Sequence, residues 1–257
     1  MTGLLAGRTA LVTGAGNGLG KAITGHLVES GARVIMVGRN LDKLAQTRDV
    51  LGLTDDQCRA ESCDVADPAS VERLALALRG ESVSIVVNNA GVPGPVSDLV
   101  DIDPRDWDEV FATNVRGVYL ICRAFLPAMM NARSGDIINI ASVSGKRPLA
   151  GRTPYCASKM AVIGLTTTLA AEAGPYDVRV NSLSPGPVRG PRMERNFRME
   201  AERSSSSYDQ AEAAFVSRAA LGRMVEEEEI GQAVVAMLQM RGLTAADIDL
   251  SAGMVAR

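Results

Sequence analysis

Short apolar runs alternate with longer amphipathic stretches along the whole chain. Thr9 to Thr13 (TALVT) is a β-rich run that ends in glycines. Leu19, Ile23 and Leu27 then recur at i, i+4 and i+8, which predicts a helix over 19–30. Gly31 stands where a helix C-terminus favours glycine. Further runs predict strands over 33–37, 83–87, 136–141 and 178–183, with a weak strand over 59–63 and a last short one near 247–250. Amphipathic stretches predict helices over 41–51, 68–79, 154–173 and 226–240. Asp67-Pro68 gives the helix over 68–79 a start signal. A long helix is expected over 104–131, bent at Pro127 and anchored by Trp107. Runs such as VIMV and IVV lack polar alternation, as in strands covered on both faces. Strand and helix alternating to the end predict an α/β fold with a doubly wound parallel sheet. No linker or repeat divides 1–257, so one domain is expected.

The segment 187–222 breaks this rhythm. It is rich in Arg, Glu and Ser, and it reads as a polar lid over a substrate. Its serine run at 204–207 reads as a mobile loop. The Glu226–Glu229 run reads as a helix start, where acids suit the dipole.

Composition narrows the chemistry. Lys plus Arg total 27 against 30 for Asp plus Glu, which leaves no basic footprint for nucleic acid. No apolar run approaches the roughly 18 residues a membrane span needs. Residues 1–8 lack the pattern of an export signal, and Cys58, Cys63, Cys122 and Cys156 form no CxxC pair. A cytoplasmic protein with free thiols and no metal is expected. The single histidine, His26, lies in a predicted helix. A catalytic triad or a HExxH zinc site needs histidine in the site, so proton chemistry is expected to run on another residue.

Residues 13–20 (TGAGNGLG) join the first strand to the first helix. GxGxxG fails here, but GxxxGxG fits through Gly14, Gly18 and Gly20, with Asn17 and Leu19 between them. Such glycines let the backbone approach a pyrophosphate at a helix N-terminus. After the second strand the chain reads Gly38-Arg39-Asn40, where an acid would favour NAD(H). The guanidinium of Arg39 suits a 2′-phosphate, so NADP(H) is favoured over NAD(H). Stacking of Arg39 on adenine is the alternative.

The chain resembles the short-chain dehydrogenase/reductase family, in its compact single-domain branch with a Rossmann-type fold. The resemblance covers nearly its whole length. It rests on TGxxxGxG at 13–20, Cys63-Asp64-Val65, Asn-Asn-Ala-Gly at 88–91 and Thr-Asn114-Val. It rests also on Ala-Ser142-Val-Ser-Gly, Tyr155-Cys-Ala-Ser-Lys159 and Asn-Ser-Leu-Ser-Pro-Gly at 181–186. The resemblance implies that Asp64 and Val65 contact adenine and that Asn89, Ala90 and Gly91 line the cofactor groove. Pro185, Gly186 and Val188 would flank the nicotinamide. Asn114, Ser142, Tyr155 and Lys159 would form a catalytic tetrad, with Asn114 holding a water linked to Lys159. Residue chemistry agrees: Tyr155 and Lys159 share a helix face at i, i+4, and an ammonium favours phenolate. Tyr155 would serve as general acid/base, Lys159 would also hold the nicotinamide ribose, and Ser142 would position the substrate oxygen.

The expected activity is an NAD(P)-dependent oxidoreductase that interconverts an alcohol and a ketone or aldehyde. Competing readings are a 3-oxoacyl thioester reductase and, from another class, a catalytically idle dinucleotide-binding scaffold. The resemblance also implies a homotetramer or homodimer. Two features depart from the family. Gly190 stands where a threonine is expected to reach the nicotinamide amide, and the chain ends Ser251-Ala252-Gly253-Met254 in place of an Asp-Gly-Gly ending. Arg189, Arg192, Arg195 and Arg198 recur every three residues, with Lys146, Arg147 and Arg152 nearby. They suit an anionic substrate, but a solvated lid with pairs to Glu194, Glu200 and Glu202 is favoured. Met193, Phe197 and Met199 are expected to pack the lid.

Overall fold

A computed structural model describes residues 3–147 and 149–255, apart from the side chain of Arg192. Its strands are Thr9–Thr13 (β1), Arg33–Gly38 (β2), Cys58–Ser62 (β3), Val83–Asn88 (β4), Gly135–Ile140 (β5), Val178–Pro185 (β6) and Asp247–Leu250 (β7). They pair in parallel in the order β3-β2-β1-β4-β5-β6-β7. The doubly wound parallel sheet expected from the sequence is therefore observed.

Successive strand residues feed opposite faces. Ala10 and Val12 of β1 face a core built with Gly18–Glu29 (α1), Leu41–Val50 (α2) and Glu227–Gln239 (α9), through Ile23, Leu27, Leu44, Ile230 and Val234. Leu11 faces the other core, built with Pro68–Ala77 (α3), Gly117–Ala132 (α5) and Thr153–Ala173 (α6), through Leu74, Ile121, Phe125 and Val162. The strand order reverses between β1 and β4. Loops leaving their carboxyl ends diverge there and open a crevice.

Two elements differ from expectation. The long helix is not continuous. Pro104–Phe111 (α4) passes through a π-helical turn at Ala112–Arg116 before α5 begins. The break lies at Asn114, not at Pro127, which α5 carries on an exposed face. A proline facing solvent leaves the carbonyl it deprives of a partner to water, so no bend is forced. Trp107 is half-buried and stacks on Phe111 one turn later, at 4.9 Å.

The polar segment is largely helical. Pro191–Ser204 (α7) begins with proline in its first turn, and Tyr208–Val216 (α8) follows. The serine run is the short link between α7 and α8. Ser205 turns left-handed at φ 51°, and Ser207 and Gln210 form a reciprocal capping box on α8. Phe197 is buried between the two helices, edge-on to Tyr208 and Phe215.

His26 lies away from the crevice. It pairs with Glu29 at 3.2 Å and packs on Gly231 of α9. All four cysteines are free thiols, and burial raises the pKa of each.

Candidate active site

The turn after β1 is shaped by what glycine permits. Gly14 and Gly18 adopt φ 67° and 49°. A Cβ on Gly20 would fall 2.1 Å from the Gly14 carbonyl oxygen, so the first turn of α1 lies against the loop only with glycine there. Asn17 occupies the N-cap of α1 without a side-chain cap bond, and no acid lies in the first turn. The first amides of α1 thus lack an internal partner and open towards the crevice. That is a cradle suited to a diphosphate.

β4 is stitched to this turn. The Thr13 hydroxyl oxygen accepts from the backbone N–H groups of Asn89 and Ala90, both at 3.0 Å. The Asn89 side-chain amide donates to the carbonyls of Thr13 at 2.9 Å and Gly14 at 3.2 Å. Thr13 was not singled out in the sequence. Its place at the end of a strand that opens a glycine turn is the signal that points to it.

Opposite the glycine turn stand Ser142, Tyr155 and Lys159. Ser142 leaves the end of β5, is buried, and accepts from the Ser144 N–H at 3.1 Å. Tyr155 and Lys159 lie one turn apart on α6. The Lys159 ammonium lies 5.8 Å from the centroid of the Tyr155 ring and donates to the Ile140 carbonyl at 2.7 Å. The lysine is 5% exposed, so its charge acts at short range in a dry setting.

Asn114 lies behind this wall. Its Oδ1 accepts from the Val92 N–H at 2.8 Å, and its Nδ2 donates to the Val92 carbonyl and the Ser158 hydroxyl, both at 3.0 Å. Ser158 in turn donates to the Tyr155 carbonyl at 2.8 Å. The π-helical turn points this amide inward. Its side chain holds the loop after β4 and the first turn of α6.

The glycine turn, the segment after β4, Ser142, Tyr155 and Lys159 border a cleft of about 860 Å³. One end is the glycine turn with Asn17 and Leu19, and Asn89, Ala90 and Gly91 form its flank. Ser142, Tyr155 and Lys159 face Pro185, Gly186 and Val188 further along. Arg39, Asp64 and Val65 do not line the cleft. They stand at the neighbouring ends of β2 and β3, with Arg39 exposed. Asp64 holds its own turn through Ala66, and Val65 packs on Gly117 of α5.

Helix α7 presents Met193, Asn196 and Met199 to the cleft. The two methionines were expected to pack within the lid. Both instead border the cleft. Arg152 is buried at the N-cap of α6 and donates to Asn196 Oδ1 at 3.4 Å. Of the arginine ladder, Arg189 borders the cleft. Arg189 pairs with Glu226 at 3.2 Å and Glu212 at 3.6 Å, and Arg198 lies 3.9 Å from Glu194. Arg195 is exposed, and the Arg192 side chain lies outside the described residues. Gly190 has φ 149°, and a Cβ on it would lie 3.1 Å from Glu227 Oε1.

Among the described residues, no group of three or more His, Cys, Asp or Glu side chains could hold a metal ion. No helix of the described residues is long and apolar enough to cross a membrane.

Residues 8–202 match the family model described as short chain dehydrogenase. The chain is 39% identical over 183 residues to D-threitol dehydrogenase of Mycolicibacterium smegmatis, covering 70% of each chain. It is 33% identical to a 3-oxoacyl-acyl-carrier-protein reductase of Vibrio cholerae, over 90% of this chain and 89% of the relative. Among solved structures, an actinorhodin polyketide ketoreductase with NADPH superposes with TM-score 0.91 at 30% identity, covering 99% of both chains. An NAD+-bound xylitol dehydrogenase superposes with TM-score 0.90 at 27% identity, over 97% of this chain and 99% of the other. With the glycine turn, Ser142 and the Tyr155–Lys159 pair placed around one cleft, the chain belongs to the short-chain dehydrogenase/reductase family of oxidoreductases.

Proposed function

We propose that the protein interconverts a secondary alcohol and a ketone, or a primary alcohol and an aldehyde, using a nicotinamide dinucleotide with NADP(H) favoured. The observation that carries this reading is the meeting, in one cleft, of an uncapped helix N-terminus and a phenol beside a buried ammonium. The α1 amides hold the diphosphate, and Lys159 holds the nicotinamide ribose. Bound nicotinamide supplies or accepts the hydride. Ser142 hydrogen-bonds the substrate oxygen and fixes its carbon in reach. Tyr155 gives a proton to that oxygen in reduction and removes it in oxidation. Lys159 favours the phenolate that each cycle passes through. Asn114 holds the wall in place and, as the fourth member of the tetrad, would hold the water that links Lys159 to solvent.

Tyr155→Phe tests the mechanism. kcat is expected to fall about 10²–10⁴-fold, the usual share of general acid–base catalysis, while dinucleotide Kd stays within twofold. An unchanged kcat overturns the assignment.

NADP(H) preference rests on Arg39, which is exposed and has no hydrogen bond or ion pair through its side chain to a described residue. Arg39 and Asp64 with Val65 would receive the adenosine at the ends of β2 and β3. A 3-oxoacyl thioester reductase is the second reading, favoured by the near full-length likeness to the Vibrio cholerae enzyme. Rates on tetritols and pentitols with each oxidised cofactor, against rates on a 3-oxoacyl thioester with each reduced one, separate the two readings. Assembly into a homodimer or homotetramer is supported by Tyr119 on α5 and Met160 on α6, both nearly half exposed. Four free thiols suit a reducing cytoplasm.

A further inference from the structure

The glutamate run at 226–229 is absorbed only in part by its role as a helix start. Glu226 pairs with Arg189, and Glu229 pairs with Arg223 and accepts from the Glu226 N–H at 2.9 Å. Glu228 is exposed. Glu227, the first residue of α9, turns the other way: it is half-buried and borders the cleft. Its Oε1 lies 3.5 Å from where a Cβ on Gly18 would stand and 3.1 Å from where one on Gly190 would. It makes no hydrogen bond or ion pair with a described residue. The carboxylate thus bridges the glycine turn and the hinge of the lid. It fills the space that a side chain at 190 would take.

Resting on the cofactor reading above, we propose that Glu227 sets the affinity of the dinucleotide site, as an anion at the diphosphate end that weakens binding and couples it to a proton. The N-terminus of α1 has no acid in its own first turn, and Glu227 supplies negative charge to that end from the start of the neighbouring α9. A diphosphate seeks the same place. Two anions at one helix end oppose each other, and the low polarity of a half-closed cleft strengthens that opposition.

The groups facing Glu227 are few. Lys21 on α1 attracts it, and Glu226 and Glu228 repel it. Arg189, at the lid hinge, is engaged with Glu226 and Glu212. Burial raises the pKa of the Glu227 carboxyl, and Lys21 offsets this only in part. An arriving diphosphate raises it further. Binding then takes up a proton, and affinity falls as pH rises.

Calorimetric titration of NADPH and NADH into wild type, Glu227→Gln and Glu228→Gln tests this, at pH 6 and pH 8 and in buffers of different ionisation enthalpy. Glu227→Gln is expected to bind dinucleotide about tenfold more tightly than wild type at pH 8, with a smaller gap at pH 6. Wild type takes up part of a proton on binding, and Glu227→Gln does not. Glu228→Gln, on the exposed side of the same turn, behaves as wild type in both respects. Equal or weaker binding by Glu227→Gln, or proton uptake that persists in it, overturns the inference and leaves the cofactor reading standing. If wild type binds neither dinucleotide, the cofactor reading falls and this inference falls with it.

Discussion

Asn114 works from behind the cleft wall, and its side chain shows how one amide holds two segments in register. Removing it strands the Val92 N–H and carbonyl, and it frees Ser158 from the loop after β4. Asn114→Ala is expected to cost about 2–3 kcal/mol of stability, because part-buried polar groups lose their partners. A lower urea midpoint and a lower kcat are expected together. Asn114→Asp keeps the acceptor for Val92 but loses both donors, so its midpoint should fall between the other two. Arg39 makes the contrasting case at this scale. Arg39→Ala should leave the urea midpoint unchanged, since its side chain is exposed and holds nothing in place. It should weaken NADPH about tenfold and NADH little, measured as Kd for each. An equal loss for both would mean that Arg39 stacks on adenine and reads no phosphate. Tyr155 and Lys159 are legible in the sequence because they form a local i, i+4 pair, whereas Ser142 is legible only through the family resemblance. Glu227 was not, because its meaning depends on facing Gly18 and Gly190, far away along the chain.

Elements were legible where periodicity was strong. The strands fall within one or two residues of their expected spans, and in the central ones residues covered on both faces leave no polar alternation to misread. The π-helical turn at Ala112–Arg116 was hidden, because it adds one residue without breaking the apolar pattern. Proline was the louder signal, and it pointed to the wrong place. The lid helices were masked by their charge, although Met193, Phe197 and Ala201 recur at i, i+4 and i+8 and Ser207-x-x-Gln210 is a capping-box signature. The start of α9 carries a pH-dependent element. Glu229 is held down to about 2 by hydrogen bonds from Arg223 and from the Glu226 backbone. Its folded-state pKa is depressed below the ordinary 4.5, so its stabilising contribution is fully present above that value. It is lost as pH falls through about 2. Thermal denaturation of wild type and Glu229→Gln should therefore show a lower Tm for the variant at pH 7 and a narrower gap at pH 3. A gap of constant size would mean that the amide replaces the carboxylate and that charge contributes nothing.

At the scale of the molecule, the loop that follows Ser142 is tied to the far edge of the sheet. The Lys146 ammonium sits between Asp247 and Asp249 of β7. Asp247 also accepts from the hydroxyls of Ser182 and Ser184 on β6, both at 2.7 Å. Arg147 next to it donates to the Met254 carbonyl at 3.2 Å, and Met254 borders the cleft. Residues more than a hundred positions apart thus brace one wall of the substrate end, while the glycine turn braces the cofactor end independently. Taking away the ammonium alone leaves two carboxylates close together in a largely buried setting, which costs more than losing the whole cluster. Lys146→Met is expected to lower stability by up to about 3 kcal/mol. Lys146→Met combined with Asp247→Asn and Asp249→Asn should recover most of that, read as urea midpoints. In both variants the loop carrying Ser142 loses its tether to β7. KM for the carbonyl substrate should rise several-fold, while dinucleotide Kd, set at the other end of the cleft, stays near the wild-type value. If the two constants moved together, the two ends of the cleft would be mechanically one, and the division of labour along the sheet edge would be wrong.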